Sequence, residues 1–271
     1  MKQKNKIIIF LFSIIALSSS ASSVINVQTT SFPLTVEEPI VFAEYITTTW
    51  CPQCPIASQT LYELYQDLDS FYYVTLIVDK NELAQKRSRQ FTNYAVPSVY
   101  FDGGYRQYIG NSGQLYDEYT NQIETSRQRT NRNPVILTGK METTGEQQIT
   151  LNISVTNTGQ QAYIGRIRTY ITEKESHWSD YDQNPYHFSL IDFALDQPIF
   201  IKKGETQTFE TQWDYIETST DQSNYNISID NLFIITSISH WKPHFRSGFM
   251  LFPYLQFYLA RFFDTVLILE P

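Results

Sequence analysis

Cys51 and Cys54, separated by Pro52 and Gln53, are the only two cysteines in the 271-residue chain. A pair at this spacing supports three chemistries. Reduced, it exchanges disulfides through a thiolate. Closed, it is a static bridge. As two soft sulfurs it holds Cu(I), normally with a further soft ligand, which this sequence does not show. The flanking residues favour the first. A β-prone run, Ile40 to Ile46, leads through Thr47-Thr48-Thr49-Trp50 to the first cysteine, and beyond the second Ile56, Leu61, Leu64, Tyr65 and Leu68 recur at helical spacing. The pair is therefore expected at a helix N-terminus, where partial positive charge and free backbone N–H groups favour a thiolate. Two intervening residues bring Cys54 onto the same turn, so Cys51 is expected as the exposed nucleophile and Cys54 as the shielded resolving thiol. Pro52 suits a first helical turn because its missing N–H is not needed there. Pro55 suggests that regular helical bonding begins only beyond it.

The elements that must hold this pair continue in a regular order. Tyr72 to Val78 reads as a strand closed by Asp79, and Lys80 to Tyr94 as a polar helix. Ser98 to Phe101 follows Val96-Pro97 and turns through Asp102-Gly103-Gly104, a strong hairpin signal, into Tyr105 to Ile109. Gln114 to Arg127, with Leu115, Tyr116, Tyr119 and Ile123 on one side, reads as a last helix, which makes the order β-α-β-α-β-β-α.

A strand, then Trp50-Cys51-Pro52-Gln53-Cys54 opening a helix, then Val96-Pro97 beginning a hairpin strand about 45 residues later, resembles a thioredoxin-fold thiol–disulfide oxidoreductase of the secreted CPxC type. The resemblance covers residues 38–128. It implies that Pro97 is a cis-proline facing the cysteines, that Val96 presents backbone hydrogen bonds to a bound substrate strand, and that Trp50, Pro52 and Gln53 line the substrate rim. It also implies a buried acid on the first strand that relays protons to the resolving cysteine. Glu44 is the candidate, but it lies seven residues before Cys51, one more than the family's usual spacing, with the run of threonines able to absorb the extra residue. No other cofactor is implied. Gln53 carries no charge to stabilise a thiolate, so the direction of electron flow stays open among oxidase, reductase and isomerase.

The N-terminus reads as a targeting segment, residues 1–23. Lys2, Lys4 and Lys6 precede an apolar stretch from Ile7 to Leu17, broken only by Ser13, and small residues follow at once. That length is short for a membrane span and suits a signal peptide, whether cleaved or kept as an anchor. Its removal lowers the 20 basic residues to 17 against 28 acidic ones, a formal charge of −11. Nucleic acid is thereby an unsuitable partner, because no basic stripe is available to neutralise phosphates. A secreted or extracytoplasmic location is expected, with protein thiols or disulfides and a separate redox protein as partners. Residues 24–37, rich in Ser and Thr, read as a stalk.

After a polar, basic linker at 129–134, β-prone runs recur across 135–247: Val135 to Lys140, Gln148 to Thr156, Ala162 to Thr172, Tyr186 to Leu195, Thr206 to Trp213 and Leu232 to Ser239. Turn signals separate them, so the fold class expected is an α/β thioredoxin-like domain followed by an all-β immunoglobulin-like sandwich. All four histidines, His177, His187, His240 and His244, lie here. Pro243 argues against a helix presenting His240 and His244 together, so no metal site is assigned. Asn152 and Asn226 each begin an N-glycosylation tripeptide. The final apolar segment, 248–271, reads as an amphipathic helix, with Leu255, Tyr258, Leu259, Phe262, Val266 and Leu267 on one side. It would pack on the protein or meet a membrane surface through 249–269. The function expected is exported thiol–disulfide exchange. The alternatives are a non-catalytic cell-surface binding module with a structural Cys51–Cys54 disulfide, or a copper metallochaperone.

Overall fold

The structure, a computed structural model, describes residues 39–92, 95–143, 148–214, 227–251 and 254–271. The leader and stalk expected at 1–37 and the Asn226 acceptor lie outside the described residues.

Strand β1 (Val41–Thr47) is apolar on both faces except for Glu44 and the terminal Thr47, and every one of its residues is buried. It runs parallel to β2 (Phe71–Ile77), with Val41 opposite Phe71 and Thr47 opposite Ile77. Helix α1 (Cys54–Asp67) joins them, as a parallel pair requires a crossover. Helix α2 (Glu82–Arg89) is shorter than the expected Lys80–Tyr94 stretch. It starts where the Asn81 side chain accepts hydrogen bonds from the Leu83 and Ala84 amides. The antiparallel pair β3 (Ser98–Phe101) and β4 (Arg106–Ile109) follows, then α3 (Leu115–Arg127). The Asp102–Gly104 turn between the strands is in the left-handed region, and the Arg261 backbone lies where a Cβ on Gly103 would project.

The second half supplies β5 (Val135–Thr143), β6 (Gln148–Asn157), β7 (Tyr163–Ser179), β8 (Pro185–Ile201), β9 (Thr206–Asp214), β10 (Leu232–His240), β11 (His244–Leu251), β12 (Tyr254–Ala260) and β13 (Phe263–Leu269). These strands do not close into a separate sandwich. A single eight-stranded mixed sheet runs β13-β10-β7-β8-β2-β1-β3-β4, so it joins both halves at β8 and β2. The expected fold class is corrected accordingly. Among the described residues there are thirteen strands and three α-helices, a β-rich architecture around one shared sheet.

Two cores result, one on each face. Val135, Leu137, Ile149, Leu151, Ile153 and Val155 of the three-stranded sheet β5-β6-β9 pack against Ile167, Ile171, Ile191, Leu232 and Ile234 of the large sheet. The other core holds the helices with Phe42, Tyr170, Tyr186, Phe188, Phe233 and Ile235. Strand β10 is buried along its whole length because alternate residues serve each core. Strands β7 and β8, 17 residues each, carry bulges at three places along their pairing, which bend them enough to wrap the aromatic side chains.

The C-terminal segment is also corrected. Among the described residues of this segment, the strands β11, β12 and β13 take the place of the expected helix, with Phe257 and Leu259 exposed and Tyr258 and Ala260 buried, a period of two. Aromatic and β-branched residues suit a strand, and β13 covers the outer edge of β10. Among the described residues, no helix is long and apolar enough to cross a membrane.

Residues 129–134 hold these parts together. Arg129, almost fully buried, donates from Nε to Asp102 Oδ2 at 2.8 Å and also bonds the Phe263 carbonyl. Arg132 Nη2 lies 3.1 Å from the same Asp102 oxygen, and Asn133 donates its amide to Asp264 Oδ1 at 2.9 Å. Replacing Arg129 by Ala leaves the buried Asp102 carboxylate to Arg132 and frees the Phe263 carbonyl, and we expect a loss of roughly 3 kcal/mol in urea unfolding. A loss under about 1 kcal/mol would show that this ion cluster does not hold the C-terminal strand.

Candidate functional site

The loop between β1 and α1 is fixed from two directions before it reaches the cysteines. Thr49 donates its amide to Asp79 Oδ1 at 3.0 Å and its hydroxyl to Asp79 Oδ2 at 2.6 Å. The Tyr186 hydroxyl, from β8, donates to the Thr48 carbonyl at 3.1 Å and lies 3.1 Å from Thr47 Oγ1. The loop then folds on itself, with the Cys51 amide donating to the Thr48 carbonyl and the Cys54 amide to the Cys51 carbonyl, both at 3.3 Å.

Cys51 and Cys54 form a disulfide, their Cα atoms 5.4 Å apart. Helix α1 begins at Cys54, with Gln53 as its N-cap and Pro55 in the first turn. The proline roles are therefore reversed from expectation. Pro55 occupies the position where a missing N–H is tolerated, and Pro52 lies in the preceding turn. Cys51 is 3% exposed and Cys54 0%, whereas Trp50 is 65% and Ile56 57% exposed. Pro52 and Gln53 are exposed as well. Both cysteines are thus buried, while the exposed residues next to them in the chain are apolar apart from Gln53. Closed as a disulfide, the pair has no thiolate to offer a copper ion.

The Val96–Pro97 peptide bond is cis. Pairing of Ile46 with Ser98 places it at the same end of the sheet as the cysteine loop. Val96 is half-buried and Pro97 buried.

Glu44 does not join this group. Its carboxylate accepts two hydrogen bonds from the Arg87 guanidinium, at 2.7 and 2.6 Å, and one from the Tyr170 hydroxyl at 2.8 Å. Burial works against the Arg87 charge, but the adjacent Glu44 carboxylate outweighs it and raises the guanidinium further. The residue that reaches the cysteine helix is its neighbour. Tyr45, fully buried, donates its hydroxyl to the Cys54 carbonyl at 2.9 Å. Burial, then the nearby Tyr186 hydroxyl, hold the Tyr45 phenol well above its ordinary range, so it stays a donor. Successive strand residues face opposite sides of the sheet, so a spacing longer by one turns the acid away and a tyrosine inward.

Among the remaining sequence candidates, Asn152 is half-buried on β6, opposite Lys140 and Glu210. His177 Nδ1 lies 2.7 Å from Glu173 Oε2, and His187 stacks on Tyr62 with ring centroids 3.6 Å apart. His240 and His244 meet across the turn from β10 to β11, with no helix needed to bring them together. Asp79, Tyr45 and Tyr186 were not assigned from sequence. Tyr186 left no local signal, lying 139 residues from Thr47.

No protein-family model matches the chain, and no curated protein sequence does. Among solved structures, HBP35 of Porphyromonas gingivalis superposes with a TM-score of 0.61 at 11% identity, over 86% of this chain and 77% of that one. A protein from Agrobacterium tumefaciens covers 86% of this chain and 96% of its own, at 11% identity and a TM-score of 0.48. The reduced thioredoxin pre-protein of Schistosoma mansoni, 18% identical, covers 33% of this chain and 81% of its own, with a TM-score of 0.27. The likeness to HBP35 runs across both halves of the chain. It corrects the resemblance to a thioredoxin-fold oxidoreductase fused to an immunoglobulin-like domain: the fold shared is the β-rich whole. At this identity it carries the fold alone and lends no support to an oxidoreductase.

The pairing of Glu44 with Arg87 leads to a separable prediction. Glu44→Gln leaves a buried guanidinium short of its counter-charge and should cost roughly 3–5 kcal/mol in urea unfolding. The rate at which dithiothreitol reduces the disulfide in the folded protein should stay unchanged. Tyr45→Phe should cost about 1 kcal/mol and hasten that reduction. A Glu44→Gln protein of native stability with slowed thiol chemistry would return Glu44 to a relay role.

Proposed function

We propose that this chain is an exported, extracytoplasmic binding module that presents an apolar contact surface fastened by the Cys51–Cys54 disulfide. The contrast in exposure across one loop carries the reading: the bridge is 3% and 0% exposed at its two residues, while Trp50 and Ile56 beside it are 65% and 57% exposed. A bridge that exchanges must offer a sulfur to an incoming thiolate, because access limits the rate. A buried bridge acts as a fastening, and an exposed Trp beside it is the kind of side chain on which binding energy concentrates. The basic, apolar N-terminal segment supports the exported location. The partner class this surface suits is an apolar segment of another polypeptide.

A second reading, thiol–disulfide exchange, is favoured by one observation, the position of Cys51 and Cys54 at the start of α1 beside the Val96-Pro97 loop. In that reading the Cys51 thiolate attacks a partner disulfide and releases one partner thiolate, which takes up a proton. Cys54, deprotonated, then displaces the second partner sulfur, so the partner leaves as a dithiol and this chain as the disulfide.

Two measurements decide between the readings. Equilibration with glutathione should place the Cys51–Cys54 potential below about −300 mV, as for a structural bridge, and the Cys54→Ser variant should accumulate no mixed disulfides with protein substrates. A higher potential together with mixed disulfides on Cys51 would overturn the binding module in favour of exchange. For the contact surface itself, peptides selected on the oxidised protein from a displayed library should bind about tenfold more weakly to Trp50→Ala, a hot-spot-sized effect. Equal affinity for the two proteins would remove Trp50 from the surface.

A further inference from the structure

We propose that His240 and His244 form a binding site for a divalent transition-metal ion, away from the cysteine loop and independent of its role. The two Nε2 atoms lie 3.0 Å apart. An ion bonded to two imidazole nitrogens at about 2.1 Å, the usual metal–imidazole length, would see that separation as an angle of about 90°. The nitrogens therefore sit where neighbouring corners of a metal's coordination sphere would be.

Each ring is held in orientation by something other than the second histidine. His240 ends β10, is buried, and has its Nδ1 3.3 Å from both carboxylate oxygens of Asp264. Asp264 is fixed in turn by the Asn133 amide at 2.9 Å and by the Tyr163 hydroxyl at 2.8 Å. A carboxylate on Nδ1 keeps the proton there, as behind most metal-ligating histidines, so His240 Nε2 accepts a hydrogen bond from His244 Nε2, and both lone pairs face an ion once His244 carries its proton on Nδ1. His244 begins β11, and its ring stacks on Phe262 with centroids 4.1 Å apart and planes 9° from parallel.

Both rings line a cavity of about 340 Å³ whose other walls include Asn131, Asn133, Gln161 and Lys242. No group of three or more His, Cys, Asp or Glu among the described residues is arranged to hold a metal. The ion would thus be held by two imidazoles and complete its shell with water. Lys242 and Arg246 repel a dication, so affinity should fall below that of a closed four-ligand site. Imidazole donors and an open shell favour Cu²⁺, Ni²⁺ and Zn²⁺ over Mg²⁺ or Ca²⁺, with Cu²⁺ held most tightly.

The test uses the full mature chain, oxidised so that no thiol competes, titrated calorimetrically with Cu²⁺ and examined by electron paramagnetic resonance. One Cu²⁺ should bind with hyperfine splitting from two imidazole nitrogens. His244→Ala, a change at a half-exposed ring, should weaken binding at least about tenfold and remove one nitrogen, while His187→Ala should change neither. Asp264→Asn should weaken binding with both nitrogens retained. The site is refuted if the wild-type protein binds no Cu²⁺, if His244→Ala binds as the wild type does, or if the bound ion shows no imidazole nitrogen. The spectrum of the unmutated protein decides the matter even where a variant fails to fold.

Discussion

A strand has two edges, and β2 finds only one partner in its own half of the chain. Its seven residues are almost wholly buried, so the amides and carbonyls along the free edge need cover. Strand β8 provides it at the middle of β2. Thr75 pairs with Ser189, and the Thr75 hydroxyl donates to the His187 carbonyl at 2.6 Å. The Asn81 side chain donates to the carbonyls of both Leu190 and Ile191 at 2.9 Å while its oxygen caps α2. One side chain thus starts a helix in the first half and satisfies a strand of the second. With β8 seated, β7, β10 and β13 follow by ordinary antiparallel pairing, and the sheet crosses the boundary at which two independent folds were expected.

The cysteine loop inherits its geometry from that junction. Tyr186 belongs to β8, and its hydroxyl reaches Thr47 and Thr48 because β8 lies against β2. Asp79, just beyond the end of β2, holds Thr49. The first half therefore does not shape the loop alone. Placing Trp50 outward and the sulfurs inward needs a contact made 138 residues away along the chain. The Arg87–Glu44–Tyr170 group is a second tie of the same kind, since Tyr170 lies on β7 and its ring meets Phe42 edge-on at 5.2 Å.

Local order was readable from the residues, and long-range order was not. The helical spacing after Cys54, the turn at Asp102-Gly103-Gly104 and the alternation of Ile149, Leu151, Ile153 and Val155 each report on residues close in sequence, and each corresponds to an element in the structure. The strand β13 is not readable as a strand, because its short apolar run, Val266 to Leu269, fits one side of a helix as well as a sheet edge. Only the free edge of β10 decides between them. The same limit explains Glu44. The resemblance singles it out as an acid on the first strand, but which face it serves depends on a single step of register, and that step gives Arg87 the acid and Cys54 the tyrosine.

The energetic scale of the bridge bears on what it is for. Cys51 and Cys54 are three positions apart, so closing them removes little freedom from the unfolded chain, roughly 2 kcal/mol on the chain-entropy model. The ion clusters at Asp102 and Glu44 each tie segments much more distant in sequence. The bridge therefore adds less to global stability than a longer loop closure would. Its effect is local: it pins the turn carrying Pro52 and Gln53 to the first turn of α1, so that Trp50 and Ile56 are held in a fixed relation before any partner arrives. Binding by a pre-ordered surface avoids the entropy of arranging it at the moment of contact. A short disulfide beside exposed apolar side chains therefore stabilises a shape more than a fold, and that shape is what an apolar partner would meet.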